Sequence, residues 1–277
     1  MFKHESTAFE KIDQANARIK KEFSNIKENV SQLWEWVDEG CSYNFIAPNC
    51  VCPNDCKYCY VKAIKKRVGI VELEQPTEEK LIFASNEAKV NKKWKPAKVG
   101  KVYMIPSSHD IFPENVDNYC MVAKNCISAH NSVLCVSKPR LGCIMKICDK
   151  MKPYKDNFRF RFTIGSANND ILKYWEPNAP TYEERISCVY YANEKGFNVS
   201  LSMEPLLDDP TPIIKKLENI VSSFWIGPMN HCAVLKFNKD EVDKLNSQVA
   251  KYYKLLKDHP KVHLIINRHN VPGLYEF

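Results

Sequence analysis

The feature that most constrains this chain is a rhythm. Short β-rich runs appear at 101–107 (KVYMIPS), 132–138, 158–165 (FRFRFTIG), 197–204, 223–230 and 261–267, with CSYNFIA (41–47) as a first member. Helical patterns lie between most of them, at 115–129, 140–151, 181–195, 211–221 and 239–257. Strands that alternate with helices call for parallel pairing, because each return to the same edge of a sheet needs a crossover. The expected fold class is therefore α/β, a partial (β/α) barrel of about six to seven parallel strands. A doubly wound sheet is the alternative.

Residues 1–40 read as one amphipathic helix. A capping box at 7–10 opens it, Ile12, Ile19, Phe23, Ile26, Val30, Leu33 and Val37 recur at helical steps, and Gly40 stands where it would end. The barrel is expected over 41–277, interrupted at about 70–99 by a charged insertion with weak periodicity. No apolar run is long enough to span a membrane, and the N-terminus has no apolar signal core, so a cytoplasmic protein is expected. Disulfides are rare in such a compartment, so the dense cysteines at 50–59 point to metal binding or catalysis. The balance of 40 basic to 33 acidic residues, net +7, permits an anionic partner without requiring one.

In a parallel barrel the chemistry gathers at the C-terminal ends of the strands. Here those ends carry Ser107, Ser108, His109 and Asp110, then Lys138, Gly165 and Ser166, Glu204, Asn230 and His231, and finally Asn267 and Arg268. The first run leads into NCVCPNDCKYCYVK, in which Cys52, Cys56 and Cys59 make C-x3-C-x2-C with Tyr58 before the last cysteine. Three thiolates on a tight loop suit an iron–sulfur cube with one open corner. Zinc, with Cys41 or Cys50 as a fourth ligand, is the competing reading, and it would describe a zinc-stabilised nucleic-acid-binding protein without catalysis. A third reading is an inactive barrel that acts as an interaction module.

Cys120, Cys126, Cys135, Cys143, Cys148 and Cys188 fall mostly in predicted helices or strands, as small core residues do. Cys232, beside His231 at a strand end, is a candidate hydrogen donor. His109 is a candidate for the site or a turn histidine bonded to backbone. Glu176 and Arg185 either touch a cofactor or form a structural ion pair. Two basic clusters, 62–67 and 89–98, are solvated faces or a path for an anionic substrate such as nucleic acid, with Trp94 available for stacking.

The motif CPNDCKYCY, on a loop before barrel units, resembles the radical S-adenosylmethionine (SAM) superfamily. The segment 162–209, with Ser166, Glu176-Pro177, Arg185 and Gly196, and the SKPR at Lys138 resemble its spore photoproduct lyase-like branch, related to DNA repair photolyases. The resemblance covers about 41–230. It implies a [4Fe–4S] cluster on Cys52, Cys56 and Cys59, with SAM completing the open iron and an external electron donor of flavodoxin, ferredoxin or reductase type. It also implies that Lys138 faces the SAM carboxylate, that Ser166 contacts the ribose or methionine end, and that Tyr58, Asp110, Glu176 and Arg185 belong to the cofactor site. Ser107 stands where the lyase itself carries a hydrogen-donor cysteine, which argues against photoproduct repair. Only Cys232 follows Cys188, so no auxiliary cluster is expected.

Overall fold

The computed structural model describes residues 41–46, 50–67, 77, 99–229 and 239–264, without the side chains of Ala63, Lys66, Arg67, Lys239 and Leu264. The expected helix at 1–40, nearly all of the insertion, Trp94, and Asn230, His231, Cys232, Asn267 and Arg268 lie outside the described residues.

Helix α1 (Tyr60–Arg67) follows the cysteine loop directly. The remaining elements are β1 (Val102–Met104), α2 (Val116–Ser128), β2 (Ser132–Ser137), α3 (Leu141–Met151), β3 (Phe158–Thr163), α4 (Asn169–Trp175), α5 (Tyr182–Glu194), β4 (Asn198–Met203), α6 (Thr211–Leu217), β5 (Phe224–Ile226), α7 (Lys239–Leu256) and β6 (Val262–Leu264). A 3-10 helix (Lys152–Asn157) links α3 to β3. The six strands form one open sheet in chain order, every neighbouring pair parallel. This is the α/β architecture expected from the rhythm.

Strand β3 shows why the sequence takes this form. Phe158, Phe160 and Phe162 alternate onto the helix-covered face, where all three are fully buried, and Phe158 and Phe160 meet Phe197 edge to face. On the other face, Arg161 donates from Nε to Ser200 Oγ at 3.3 Å and lies over the Trp225 ring. Helix α3 covers the sheet with Cys143, Ile144, Ile147, Cys148 and Met151 at helical spacing. Helix α5 starts at Thr181, whose hydroxyl accepts from the Glu184 amide, and ends before Gly196, which adopts a left-handed φ of 79°. Cys120, Cys126, Cys135, Cys143, Cys148 and Cys188 are all buried, and every described cysteine is free. No helix among the described residues is long and apolar enough to cross a membrane.

Two strands fall well short of their sequence runs, and one expected strand is reduced to a bridge. The run 101–107 stops pairing as a strand at Met104, ahead of Pro106, and 223–230 stops at Ile226, ahead of Pro228, because proline lacks the amide the ladder needs. The expected first strand is reduced to one parallel bridge, Ser42 with Met104. Helices α1 and α4 were not expected; α4 carries a local signal in Asn168, whose side chain accepts from the Asp170 amide.

Parallel pairing puts the C-terminal ends of all six strands on one edge. The loops after β3 and β4 close on each other there, with the Leu207 amide donating to the Gly165 carbonyl at 3.0 Å. A Cβ on Gly165 would sit 2.8 Å from the Pro205 carbonyl oxygen and 3.1 Å from the Leu207 side chain. Gly165→Ala is therefore expected to destabilise the protein by about 1–3 kcal/mol, read as a lower denaturant midpoint at unchanged slope.

Candidate functional site

The cysteine loop sits at this edge. Cys50, Cys52, Cys56 and Cys59 line one solvent-open cavity, together with Lys62, Lys65 and Ser108. Lys62 pairs with Asp55, and Lys65 donates to the Cys50 carbonyl at 2.7 Å, so both lysines hold the loop. Burial and the Asp110 charge push the Cys52 thiol up to about 12. Burial pushes Cys56 up to about 11 against the opposing pull of Lys138. A metal binding here must displace protons from both. As they stand, no three His, Cys, Asp or Glu side chains among the described residues are grouped to hold a metal ion. The donor set nonetheless suits a soft, multi-iron group: four thiols share one cavity beside two cations.

Two buried carboxylates grip the loop. Asp110 receives the Asn54 amide nitrogen on Oδ2 at 2.7 Å and the Lys138 backbone N–H on the same oxygen at 3.0 Å. Its Oδ1 takes the Ile111 N–H at 2.8 Å and the Ser137 hydroxyl. Asn54 in turn accepts from Arg140 at 2.7 Å, and Arg140 also donates to the Asn178 carbonyl at 2.8 Å. Asp110 thus joins the ends of β1 and β2 to the cysteine loop, and its lone pairs are spent on protein donors.

Glu176 is the second. It caps α4, is 1% exposed, and takes Arg185 on Oε2 and the Tyr58 phenol on Oε1. Arg185, with no exposed surface, also donates to the Pro180 carbonyl at 2.9 Å and to Thr163 at the end of β3 at 3.1 Å. Lys138 Nζ lies 4.0 Å from Glu176 Oε1 and 5.5 Å from the centre of the Tyr58 ring. Burial pushes the Glu176 carboxyl up, but Lys138 and Arg185 outweigh it and hold the group below its ordinary range. For Lys138, burial pulls the ammonium down, and Cys56, Glu176 and Asp110 more than reverse that. Both groups are charged at neutral pH. Cys56, Tyr58, Leu172, Trp175, Leu207, Met229 and Val242 form a buried apolar cluster that includes the Tyr58 ring.

The structure brings Tyr58, Lys138, Glu176 and Arg185 together and ties Asp110 to the Lys138 backbone N–H. Ser166 is fully buried, accepting the Asn168 N–H at 2.9 Å and donating to Asp208 at 3.2 Å, so it shapes the turn after β3. His109 faces backbone on both sides: Nε2 accepts the Phe45 N–H at 3.2 Å, and Nδ1 lies 2.8 Å from the Asp110 carbonyl. Of the two sequence readings, this is the geometry of a turn histidine. Asn54, Arg140 and Asn178 were not singled out from the sequence. The signal for Asn54 is slight, an Asn-Asp pair inside the cysteine loop, and nothing in the sequence marks Arg140 or Asn178 as its partners.

Two expectations follow from these contacts. Arg185→Met strips the buried Glu176 of its direct ionic partner and should cost about 3–5 kcal/mol in chemical denaturation. Burial pulls His109 down from 6.5 to about 4, so the unfolded chain binds that proton first. Its share of stability, at most about 3 kcal/mol, is whole above pH 6.5 and lost as pH falls towards 4. His109→Phe should flatten the fall in melting temperature between pH 7 and pH 5.

Comparison with known proteins agrees with this geometry. A cysteine-to-alanine variant of spore photoproduct lyase, solved with a dinucleoside spore photoproduct, superposes with a TM-score of 0.50 at 12% identity, over 83% of this chain and 78% of that one. At that identity the likeness is one of fold. Uncharacterized protein ORF301 of Acidianus two-tailed virus is 26% identical over 213 residues, covering 70% of this chain and 68% of the viral one. Residues 46–211 match the family model of the Radical SAM superfamily. That match covers more than half the chain, from just before the cysteine loop to the start of α6; the protein belongs to the radical SAM superfamily and is an enzyme of that class.

Proposed function

We propose that the enzyme holds a [4Fe–4S] cluster on Cys52, Cys56 and Cys59, cleaves SAM reductively and abstracts hydrogen from its substrate. The observation that carries this reading is the cavity that the four cysteines share, with the partly buried, charged Lys138 close enough to Cys56 to pull on its thiol. When bound, such a cluster supplies the electron that opens the SAM sulfonium to methionine and a 5′-deoxyadenosyl radical, the electron coming from an external donor of flavodoxin, ferredoxin or reductase type.

The chain's own residues bind, orient and exclude. Lys138 offers a permanent cation for the SAM carboxylate. Ser166 lines the neighbouring turn, and to meet SAM its hydroxyl must exchange its bond to Asp208. Asp110, Glu176 and Arg185 serve the cofactor from behind, since their polar atoms are engaged with protein groups. The buried apolar cluster around the Tyr58 ring helps keep water from a radical that would otherwise be quenched. Cys50 is a bystander or a spare ligand; its thiol donates to the Val51 carbonyl at 3.3 Å.

The unit doing this is a barrel over 41–277 in a cytoplasmic protein, with the helix at 1–40 and the insertion at 70–99 as additions. Nucleic acid is the first substrate class to try, given the basic cluster at 89–98. The lysines of 62–67 whose side chains are described are committed to the cysteine loop.

The test is anaerobic reconstitution. About four irons per chain, a reduced-cluster EPR signal that changes on adding SAM, and 5′-deoxyadenosine formed with reductant are expected. Cys56→Ala should abolish all three. Zinc in place of iron, or a cluster indifferent to SAM, would overturn the reading.

A further inference from the structure

Helix α1 contains no acidic residue, and it sets Lys62 and Lys65 three positions apart, on one face. Both line the cavity of the four cysteines, but their charges are met differently. Lys62 pairs with Asp55, so that pair brings almost no net charge to the cavity. Lys65 is partly buried and has no carboxylate partner among the described residues. Its Nζ donates to the Cys50 carbonyl at 2.7 Å, a neutral acceptor. Burial pulls this ammonium down from its ordinary range, and the Cys50, Cys59 and Cys52 thiols, near enough to be felt, pull it back up. On the strand side of the loop the charges match in number, Lys138 and Arg185 against Asp110 and Glu176. Lys65 is thus the cation left over beside the thiols.

Reduction of an iron–sulfur cluster adds one negative charge. The donor loses one electron, the cluster gains it, and no bond forms or breaks. A fixed cation close by therefore favours the reduced form and raises the midpoint potential, and salt screens a partly buried charge only weakly. We infer that Lys65 sets the reduction potential of the cluster: its ammonium, unmatched by a carboxylate, stabilises the reduced state and brings it within reach of a donor of flavodoxin or ferredoxin type. This rests on the reading that Cys52, Cys56 and Cys59 hold a [4Fe–4S] cluster. The hydrogen bond to Cys50 has the part of fixing where that charge sits, since it ties α1 to the start of the cysteine loop. The two lysines then divide the work. Lys62, neutralised by Asp55, holds the loop, and Lys65 supplies the field.

The test is a redox titration of the anaerobically reconstituted protein without SAM, followed by the EPR signal of the reduced cluster. In Lys65→Met the ratio of reduced to oxidised cluster at a fixed potential should fall about 10-fold, a midpoint lowered by about 59 mV for one electron. Lys65→Gln, which keeps an N–H donor but no charge, should fall alike, and it decides the matter if Lys65→Met fails to hold iron. Lys65→Arg should keep the wild-type midpoint. The double variant Lys62→Met with Asp55→Asn, which removes a neutral pair, should leave the midpoint unchanged. With SAM added, reduced flavodoxin should support less 5′-deoxyadenosine formation in Lys65→Met than in wild type, and titanium(III) citrate, a stronger reductant, should restore it.

A wild-type midpoint in Lys65→Met would overturn the inference. So would a wild-type midpoint in Lys65→Gln, a fall in Lys65→Arg as large as in Lys65→Met, an equal fall in the Lys62 and Asp55 double variant, or loss of iron from both Lys65→Met and Lys65→Gln. Each of these marks a lysine that only pegs the loop. Failure of the wild type to take up iron or respond to SAM would instead remove the reading beneath it.

Discussion

Everything at the reactive edge depends on two buried carboxylates finding partners. Asp110 and Glu176 are almost wholly out of water, and a bare carboxylate there would cost several kcal/mol. Each is satisfied by groups from elements far apart in sequence: Asp110 by Asn54, Ser137 and Lys138, Glu176 by Tyr58 and Arg185. The cysteine loop therefore cannot drift without stripping one of them. Its shape is held by protein donors, among them the Lys57 amide on the Trp175 carbonyl at 2.9 Å. Ordering a loop of this length costs roughly 1–2 kcal/mol per residue in backbone entropy, and here that cost is met within the fold.

Arginine is required at position 185 for geometric reasons. Its guanidinium serves three acceptors at once, the Pro180 and Thr163 carbonyls and Glu176, in one plane. A lysine would satisfy the charge and leave carbonyls bare. The result is a post fixed at three points behind Glu176.

Architecture was largely legible. The strand–helix rhythm marked the six strands and five of the seven described α-helices, because periodicity survives wherever an element packs on one face. The C-x3-C-x2-C spacing marked the loop, and Lys138, Glu176 and Arg185, singled out in the sequence, lie together in the structure. Their division of labour was not. Whether Glu176 meets a ligand or Arg185 depends on which way a capping residue turns at the end of α4, and α4 is too short to show a period. His109 was ambiguous for a similar reason. A histidine at a strand end reads the same in sequence whether it faces a ligand or the Phe45 amide, and only the return of 41–46 beside β1 decides. Asn54 and Arg140 were illegible because their meaning is pairwise.

The same return explains how the cysteine loop reaches the strand ends. Residues 41–46 run parallel to β1 but pair with it only around Met104, where the Cys41 carbonyl accepts its amide and its carbonyl accepts from Tyr43. Beyond that point side chains replace the ladder. Asn44 Oδ1 accepts the Ser107 and Ser108 amides at 2.9 and 2.8 Å, its Nδ2 donates to Ser107 Oγ at 2.8 Å, and His109 takes the Phe45 amide. Pro106 has already broken the β1 ladder, so those amides would otherwise lack partners. By pairing them with side chains, the chain leaves the sheet with these amides engaged. From Cys50 on, the cysteine loop lies at the edge that carries Lys138 and Glu176. A seventh full strand would have carried the backbone straight on past the site. The shortened pairing at this corner is thus what brings the three motif cysteines over the sheet's reactive edge.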